Sequence, residues 1–255
     1  MNKRKTTTLV VLITVAVALI LAWRPTVLIY GLQAAGLYAS IAIPMGLILG
    51  IVHIVNLAHG EFLMVAAYAT YLLCRSLGID PYLAMLPVAA VTAGFGFVIY
   101  KLTIRQALKA PELNQLILTF GLGISLTQIA NLLFTSQTRK LSFDYVSASV
   151  DIGELSFGIY NFVFLLAAAL MAFGLRWYLT RTTAGKAALA VGQNPRGAAI
   201  VGIDVDKTYG IVFAIATALV GMMGSMLITR SAVFPSVGKP VHDEELLPGR
   251  DGGHR

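Results

Sequence analysis

Residues 51–62 read Ile-Val-His-Ile-Val-Asn-Leu-Ala-His-Gly-Glu-Phe, and this stretch separates two long apolar runs. Runs of about 20 apolar residues are long enough to cross a bilayer as helices. Polar and ionisable groups at the edges of such runs are costly unless they serve a purpose. The stretch therefore predicts a polytopic membrane protein with a working polar element between two of its helices.

The composition predicts the same class of protein. Of the 255 residues, 57% are hydrophobic and only 12% are charged, whereas a soluble domain carries about 25% charged residues. One soluble core of this size cannot bury so many apolar side chains. We therefore expect an all-α, polytopic bundle of membrane helices that forms a single domain over residues 1–240.

Seven apolar runs are candidate spans, and some of them are candidates for broken or re-entrant pieces. The first follows a basic N-terminus without a clear cleavage site, so we expect an uncleaved helix there rather than a signal peptide. The runs lie at about 7–23, 27–51, 61–77, 82–104, 113–134, 157–178 and 208–229.

The formal net charge of +7 is distributed over short segments between the apolar runs. No long basic stripe or aromatic–basic motif is present, so nucleic acid is not an expected partner. If every run crosses the membrane, most basic residues fall on the side of the N-terminus, which the positive-inside rule assigns to the cytoplasm. These residues are Lys3, Arg4, Lys5, Lys101, Arg105, Lys109, Arg176, Arg181, Lys186, Arg196 and Lys207.

The first candidate site consists of Asn56, His59, Gly60 and Glu61. The six-residue separation of His53 and His59 does not place both on one helix face, so we predict no metal site. One alternative is an intramembrane enzyme that uses His59 and Glu61 as acid and base. We favour a structural role with a part in gating, in which Asn56 and His59 bridge a helix break and Glu61 complements the dipole of the next helix.

The second candidate site is the cytoplasmic loop at about 181–207. Asn194-Pro195 predicts a turn that starts a short helix, and Gly202 is a plausible residue to end it. Such a helix suits docking onto a partner, although an ordinary connector is the alternative. Gly185-Lys186 lacks the rest of a phosphate-binding loop, so we expect no nucleotide or other cofactor in this chain. The docking residues are Asn194, Pro195, Arg196, Gly197, Ala198 and Gly202.

Small and polar residues inside the runs give weaker signals. The fifth run offers candidates for a translocation path, which helix packing explains about as well: Gln115, Thr119, Ser125 and Gln128. The region of Gly121 and Gly123 in the same run is a further candidate. Small residues also let membrane helices approach closely, and broken helices that line a path are the alternative for a few of them. We expect such packing at Gly46, Gly50, Ala89, Ala93, Gly121, Gly123, Gly221 and Gly224.

At Asn56–Phe62 the chain resembles the Asn-hydrophobic-Ala-His-Gly-Glu signature of branched-chain amino acid ABC transporter permeases, a class that includes urea and short-chain amide permeases. Residues 194–203 are similar to the coupling loop of this family, and the resemblance covers about residues 29–238. It implies an importer subunit of the plasma (inner) membrane that is not itself an enzyme. It also implies its partners: a second permease subunit, two cytoplasmic ATP-binding subunits, an extracytoplasmic substrate-binding protein, a small-molecule substrate and membrane lipid.

The chain departs from the family pattern in two places. Arg196 and Gly197 stand where the coupling motif has Glu and Ala, and a polar tail at 241–255 replaces the further apolar helices of family members. We expect this tail to be disordered or to result from a frameshift, which leaves a truncated, inactive permease as an alternative. A passive small-solute pore is the other alternative to an ATP-driven importer.

Overall fold

The computed structural model describes residues 25–135, 138–141, 143–146, 149–152, 155–158 and 160–235. The predicted first span at 7–23 and the tail at 241–255 lie outside these residues. A π-helical turn, Tyr100–Ile104, joins α3 to α4 without a break. The α-helices of the described part are α1 Pro25–Ile51, α2 His59–Leu77, α3 Pro81–Ile99, α4 Arg105–Ala107, α5 Glu112–Phe134, α6 Tyr160–Arg181, α7 Thr183–Gln193, α8 Pro195–Ile200 and α9 Val205–Arg230.

Five helical segments in the described residues are long and apolar enough to cross a membrane. They confirm a helical membrane bundle but not the predicted count of about seven spans. The run predicted at 61–77 does form a helix, α2, but His59, Glu61 and Arg75 make it too polar to qualify by composition alone. The five segments are Ile29–Ile51, Pro81–Ala107, Glu112–Phe134, Phe162–Arg181 and Val205–Arg230.

A short antiparallel hairpin lies between α5 and α6, where the sequence analysis had no regular element. Its strands, β1 Ser149–Ile152 and β2 Leu155–Gly158, pair with Ser149 opposite Gly158. Both four-residue segments alternate polar and apolar residues, the period typical of a strand. The signal is short, so it is easily overlooked between two long apolar runs.

Helix α9 is the central helix of the bundle. In its most apolar window 61% of the residues are buried, against 17–33% in the other four spans. It packs on α3, α2 and α1, and its glycines make the approach close. A Cβ atom on Gly224 would lie 2.6 Å from Ala66 Cβ of α2, and one on Gly221 would meet Thr92 of α3. The packing role predicted for these two glycines is confirmed.

The pair Gly46 and Gly50 makes no close approach through its own Cβ positions, although the backbone of Gly50 lies against α7, where a Cβ atom on Gly192 would stand 3.2 Å from the carbonyl oxygen of Gly50. A Cβ atom at either position would have no other described atom within 4 Å. Helix α1 instead approaches α6 through Gly36, where a Cβ atom would lie 2.5 Å from the backbone nitrogen of Leu165. The Gly-x-x-x-Gly spacing identifies residues small enough to let another helix approach closely. It does not identify the face of α1 on which the neighbouring helix packs.

Candidate functional site

The polar stretch between α1 and α2 is a helix break, as the sequence predicted. Helix α1 ends at Ile51 and α2 begins at His59. His53 adopts a positive φ of 59°, which few residues other than glycine tolerate. The side chain of Asn56 is only 2% exposed, and its Oδ1 accepts a hydrogen bond from the backbone N–H of Ala58 at 3.1 Å. The connection is therefore an ordered segment in which alternate side chains are buried, whereas His53, Val55 and Leu57 are exposed.

Thr119 of α5 hydrogen-bonds to the backbone of this segment. Its Oγ1 accepts from the N–H of Leu57 at 3.3 Å and lies 3.3 Å from the carbonyl oxygen of Val55, to which it can donate. An irregular backbone at membrane depth is tolerated only where protein or water satisfies its polar groups. Thr119, one of the predicted path residues, thus supplies partners that the segment cannot find within itself.

The ring of His59 places the start of α2 well inside the bundle. Its Nε2 lies 3.1 Å from the carbonyl oxygen of Ile41, and the ring is buried. Ile41 lies well before Ile51, the last residue of α1. At about 1.5 Å per residue, the two positions are about 15 Å apart along the helix axis. The chain therefore rises from the end of α1 in non-helical form before α2 begins.

Glu61 lies in the first turn of α2 and contacts the middle of α5. A Cβ atom on Gly123 would lie 3.2 Å from Glu61 Cδ and 3.3 Å from its Oε2. Gly123 is the central residue of α5, which is long enough to span a bilayer. Within the described part of the chain, the buried Oε2 has no hydrogen-bond partner. The carboxyl group of Glu61 thus lies beside the middle of α5, with one oxygen that has no hydrogen-bond partner among the described residues.

This carboxylate borders a cavity of about 240 Å³. Gly60, Glu61 and Thr127 provide its polar side. Residues that follow α9 line one side of the cavity. The backbone of Val233 pairs with that of Arg139 through two hydrogen bonds of 2.8 and 2.9 Å. The remaining lining residues are apolar: Leu63, Met64, Ala67, Leu227, Ala232, Val233 and Phe234.

The four predicted path residues fall on different faces of α5. Thr119 is buried, and Gln115 is half-buried and donates from Nε2 to the carbonyl oxygen of Ala110 at 3.0 Å. Ser125 and Gln128 lie on the exposed face, away from the cavity. Thr127, which lines the cavity, was not among the path residues predicted from the sequence. Its spacing of four from Gly123 was a usable signal, because such residues share one helix face.

His59 and Glu61 point to different partners, His59 to α1 and Glu61 to α5. Among the described residues, no three or more His, Cys, Asp or Glu side chains are grouped so as to hold a metal ion. A larger cavity of about 480 Å³ lies between α3, α6 and α9, but its lining is almost entirely aliphatic and methionine side chains. Of these two cavities, the one that borders Glu61 is the more polar. Another cavity of about 290 Å³ lies at the coupling loop and is lined by Phe97, Tyr100, Lys101, Asp204, Asp206 and Lys207.

The predicted docking loop forms two capped helices. Asn194 Oδ1 accepts from the N–H of Gly197 at 2.9 Å and so caps the start of α8. Gly202 follows its end with a φ of 87°, which glycine adopts without strain. Ala198 is buried beneath the helix, whereas Ile200 and Val201 are 86% and 74% exposed. The loop therefore presents an apolar tip on a rigid helix.

The end of this loop is fixed to the π-helical turn. Asp206 Oδ1 accepts from the hydroxyl of Tyr100 at 3.0 Å and pairs with Nε of Arg105 at 2.8 Å. Both charged side chains are about half exposed, so the ion pair itself contributes only about 0–1 kcal/mol. The bond to the buried Tyr100 hydroxyl connects the loop to the membrane helices.

Comparison with known proteins identifies the group to which the chain is related. The model of the family described as "Branched-chain amino acid transport system / permease component" matches residues 27–242. The chain is 25% identical over 224 residues to the high-affinity branched-chain amino acid transport system permease protein BraD of Pseudomonas aeruginosa, covering 83% of this chain and 73% of that protein.

Two further relatives carry the name LivH. The high-affinity branched-chain amino acid transport system permease protein LivH of Salmonella typhimurium is 26% identical over 218 residues, covering 77% of this chain and 68% of the relative. The probable branched-chain amino acid transport permease protein LivH of Methanocaldococcus jannaschii is 26% identical over 216 residues, covering 81% and 68% respectively. No solved structure gives a significant match.

Proposed function

This chain belongs to the family of permease components of branched-chain amino acid transport systems, and we propose that it is one membrane subunit of an ATP-driven importer. In this proposal residues 1–240 form one transmembrane domain in the plasma (inner) membrane, with the N-terminus in the cytoplasm. A second permease subunit, two cytoplasmic ATP-binding subunits and an extracytoplasmic binding protein complete the assembly. The substrate is a branched-chain amino acid or a related small polar solute.

The observation that supports ATP-driven transport best is the exposed tip of α8. Ile200 and Val201 are aliphatic and almost fully exposed, on a helix that is capped at Asn194 and anchored by buried Ala198. Exposed apolar residues on a rigid element are typical of a protein contact. In this proposal α8 docks into a groove on the ATP-binding subunit, and Arg196, also exposed, contacts the rim of that groove.

The coupling loop then transmits movement to the membrane helices. Asp206 connects the start of α9 to Tyr100 and Arg105, so a displacement of α8 acts on two helices that border the bundle core. A conformational change of this kind requires that the ATP-binding subunit contact the two states differently. We propose that α8 is the element that the ATP-binding subunit contacts differently in the two states.

We further propose that the helix break regulates the translocation path. Asn56, His59, Gly60 and Glu61 lie where a non-helical segment meets the start of α2, beside the cavity. Transporters commonly place substrate sites near mid-membrane at broken helices. A small movement of α5 would change the bonds from Thr119 to this segment and with them the position of α2.

The docking role is tested by placing a charge on the tip of α8. The tagged protein is purified from its native membrane with bound proteins, and its ATP-binding partner is identified by its P-loop sequence and its ATPase activity. We expect Ile200→Asp to lower recovery of this partner by about tenfold or more, because a charge buried without a partner costs at least about 1.4 kcal/mol.

Leu189→Asp provides the matched control, because Leu189 is an exposed leucine on α7 of the same loop. We expect this variant to recover the partner at the wild-type level. Equal recovery with Ile200→Asp and wild-type protein would contradict the docking role. Solute flux that persists without any ATP-binding partner would instead indicate a passive pore.

A further inference from the structure

We propose that Glu61 is the site that binds the ammonium group of an amino-acid substrate, in the cavity between α2, α5 and the end of α9. This inference rests on the proposed import function and specifies the chemistry by which the path recognises its substrate. It predicts selection for solutes that carry a positively charged amine over solutes of the same shape that lack one.

The carboxyl group of Glu61 has an oxygen without a hydrogen-bond partner among the described residues. A carboxylate near mid-membrane is costly, and such groups are retained where they pair with a cation or serve a transport path. Glu61 contacts Gly123 at the centre of α5, and no described side chain pairs with its buried Oε2. A substrate ammonium group would provide the missing cation and up to three hydrogen-bond donors.

The cavity wall near Glu61 contains further polar groups. Thr127 Oγ1 donates its proton to the carbonyl oxygen of Gly123 at 3.0 Å, so its lone pairs remain available to accept from an ammonium group. Gly60, in the first turn of α2, lines the same cavity, and the positive end of a helix dipole favours a carboxylate there. One end of the cavity is therefore polar, with Thr127 beside Glu61 to accept from the ammonium group and the start of α2 at Gly60 to favour the carboxylate.

The other residues that line the cavity are apolar. Leu63, Met64, Leu227 and Val233 supply apolar side chains to the cavity wall. A branched aliphatic side chain would bury its methyl groups against this wall, at about 25 cal/mol per Å² of buried apolar area. A volume of about 240 Å³ suits a small solute rather than the larger ligands that occupy pockets of about 300–1,000 Å³.

The experiment measures binding of radiolabelled leucine by equilibrium dialysis to the purified permease–ATPase complex without its binding protein. Two competitors separate the charged groups: 3-methylbutylamine keeps the amine, and 4-methylpentanoate keeps the carboxylate. We expect the amine to compete better with wild-type protein. We expect Glu61→Gln to weaken leucine binding about tenfold or more and to remove the preference for the amine.

Thr127→Val and Glu112→Gln complete the design. Thr127→Val keeps the shape of a cavity residue and should weaken leucine binding by about tenfold or more, as expected for the loss of one hydrogen bond from a charged ammonium group. Glu112, exposed at the start of α5, is the matched control for loss of a carboxylate, and its variant should bind leucine as wild type does.

Wild-type leucine affinity and an unchanged amine preference in Glu61→Gln would overturn the inference while leaving the transport function intact. Should that variant fail to assemble, the competition on wild-type protein still decides, because equal competition by amine and acid would also overturn it. An assembled wild-type complex that binds none of the three solutes would contradict the proposed substrate class itself.

Discussion

Replacing Gly224 with alanine tests how tightly α9 packs against α2 beside the cavity. The added Cβ atom would lie 2.6 Å from Ala66 Cβ and 2.7 Å from the carbonyl oxygen of Leu63. Carbon atoms in favourable contact are about 3.5–4.0 Å apart, so the two helices must separate by about 1 Å. Overpacking of this kind costs about 1–3 kcal/mol, and neither contact is the flexible end of a long side chain.

The assay is equilibrium unfolding in mixed micelles, with Gly121→Ala as the matched control. A Cβ atom on Gly121 would meet no other described atom within 4 Å, and alanine is the better helix former by up to about 1 kcal/mol. We expect Gly224→Ala to lower the free energy of unfolding by about 1–3 kcal/mol and Gly121→Ala to leave it unchanged or raise it. Two variants that agree within about 0.5 kcal/mol would refute the packing argument.

Substitutions at three further positions test contacts within the bundle and the loop. Asp206→Ala should lower the free energy of unfolding by about 1 kcal/mol more than Asp206→Asn, because asparagine still accepts from the buried Tyr100 hydroxyl; thermal unfolding in detergent measures this. Thr70→Val removes the 2.7 Å hydrogen bond to Ser225 between α2 and α9, and a double-mutant cycle should give a coupling of about 0.6 kcal/mol. Asn194→Ala removes the cap of α8, and hydrogen exchange of its amides should accelerate by about fivefold, or about 1 kcal/mol.

Each of these three predictions has a result that would contradict it. Equal stabilities of the two Asp206 variants would mean that the hydroxyl bond contributes nothing. A coupling energy near zero would show that Thr70 and Ser225 find equivalent partners when separated. Unchanged exchange in Asn194→Ala would mean that packing of Ala198, rather than the cap, holds α8 in place.

Five of the seven predicted runs coincide with the candidate spans of the described residues, because length and hydropathy are properties of the sequence itself. The run predicted at 113–134 is α5, and the run at 208–229 is the greater part of α9. Asn194-Pro195 and Gly202 likewise predicted the limits of α8, because both act on the local backbone.

The arrangement around Glu61 could be predicted only in part. The sequence showed that a carboxylate would begin α2, but not that it would lie against Gly123, which is distant in the chain. Periodicity identifies the faces of a helix and not the neighbour of each face. For the same reason Ser125 and Gln128, chosen for their polarity, lie on the exposed side of α5.

The bonds between Thr119 and the non-helical segment have a consequence for biosynthesis. Thr119 is synthesised 64 residues after Val55, or roughly 3–13 s later at about 5–20 residues per second. Until then the backbone groups of the segment lack this partner, and each unsatisfied group costs several kcal/mol in lipid. We therefore expect α1, α2 and α5 to enter the bilayer together, so that the segment meets Thr119 before its backbone groups face lipid.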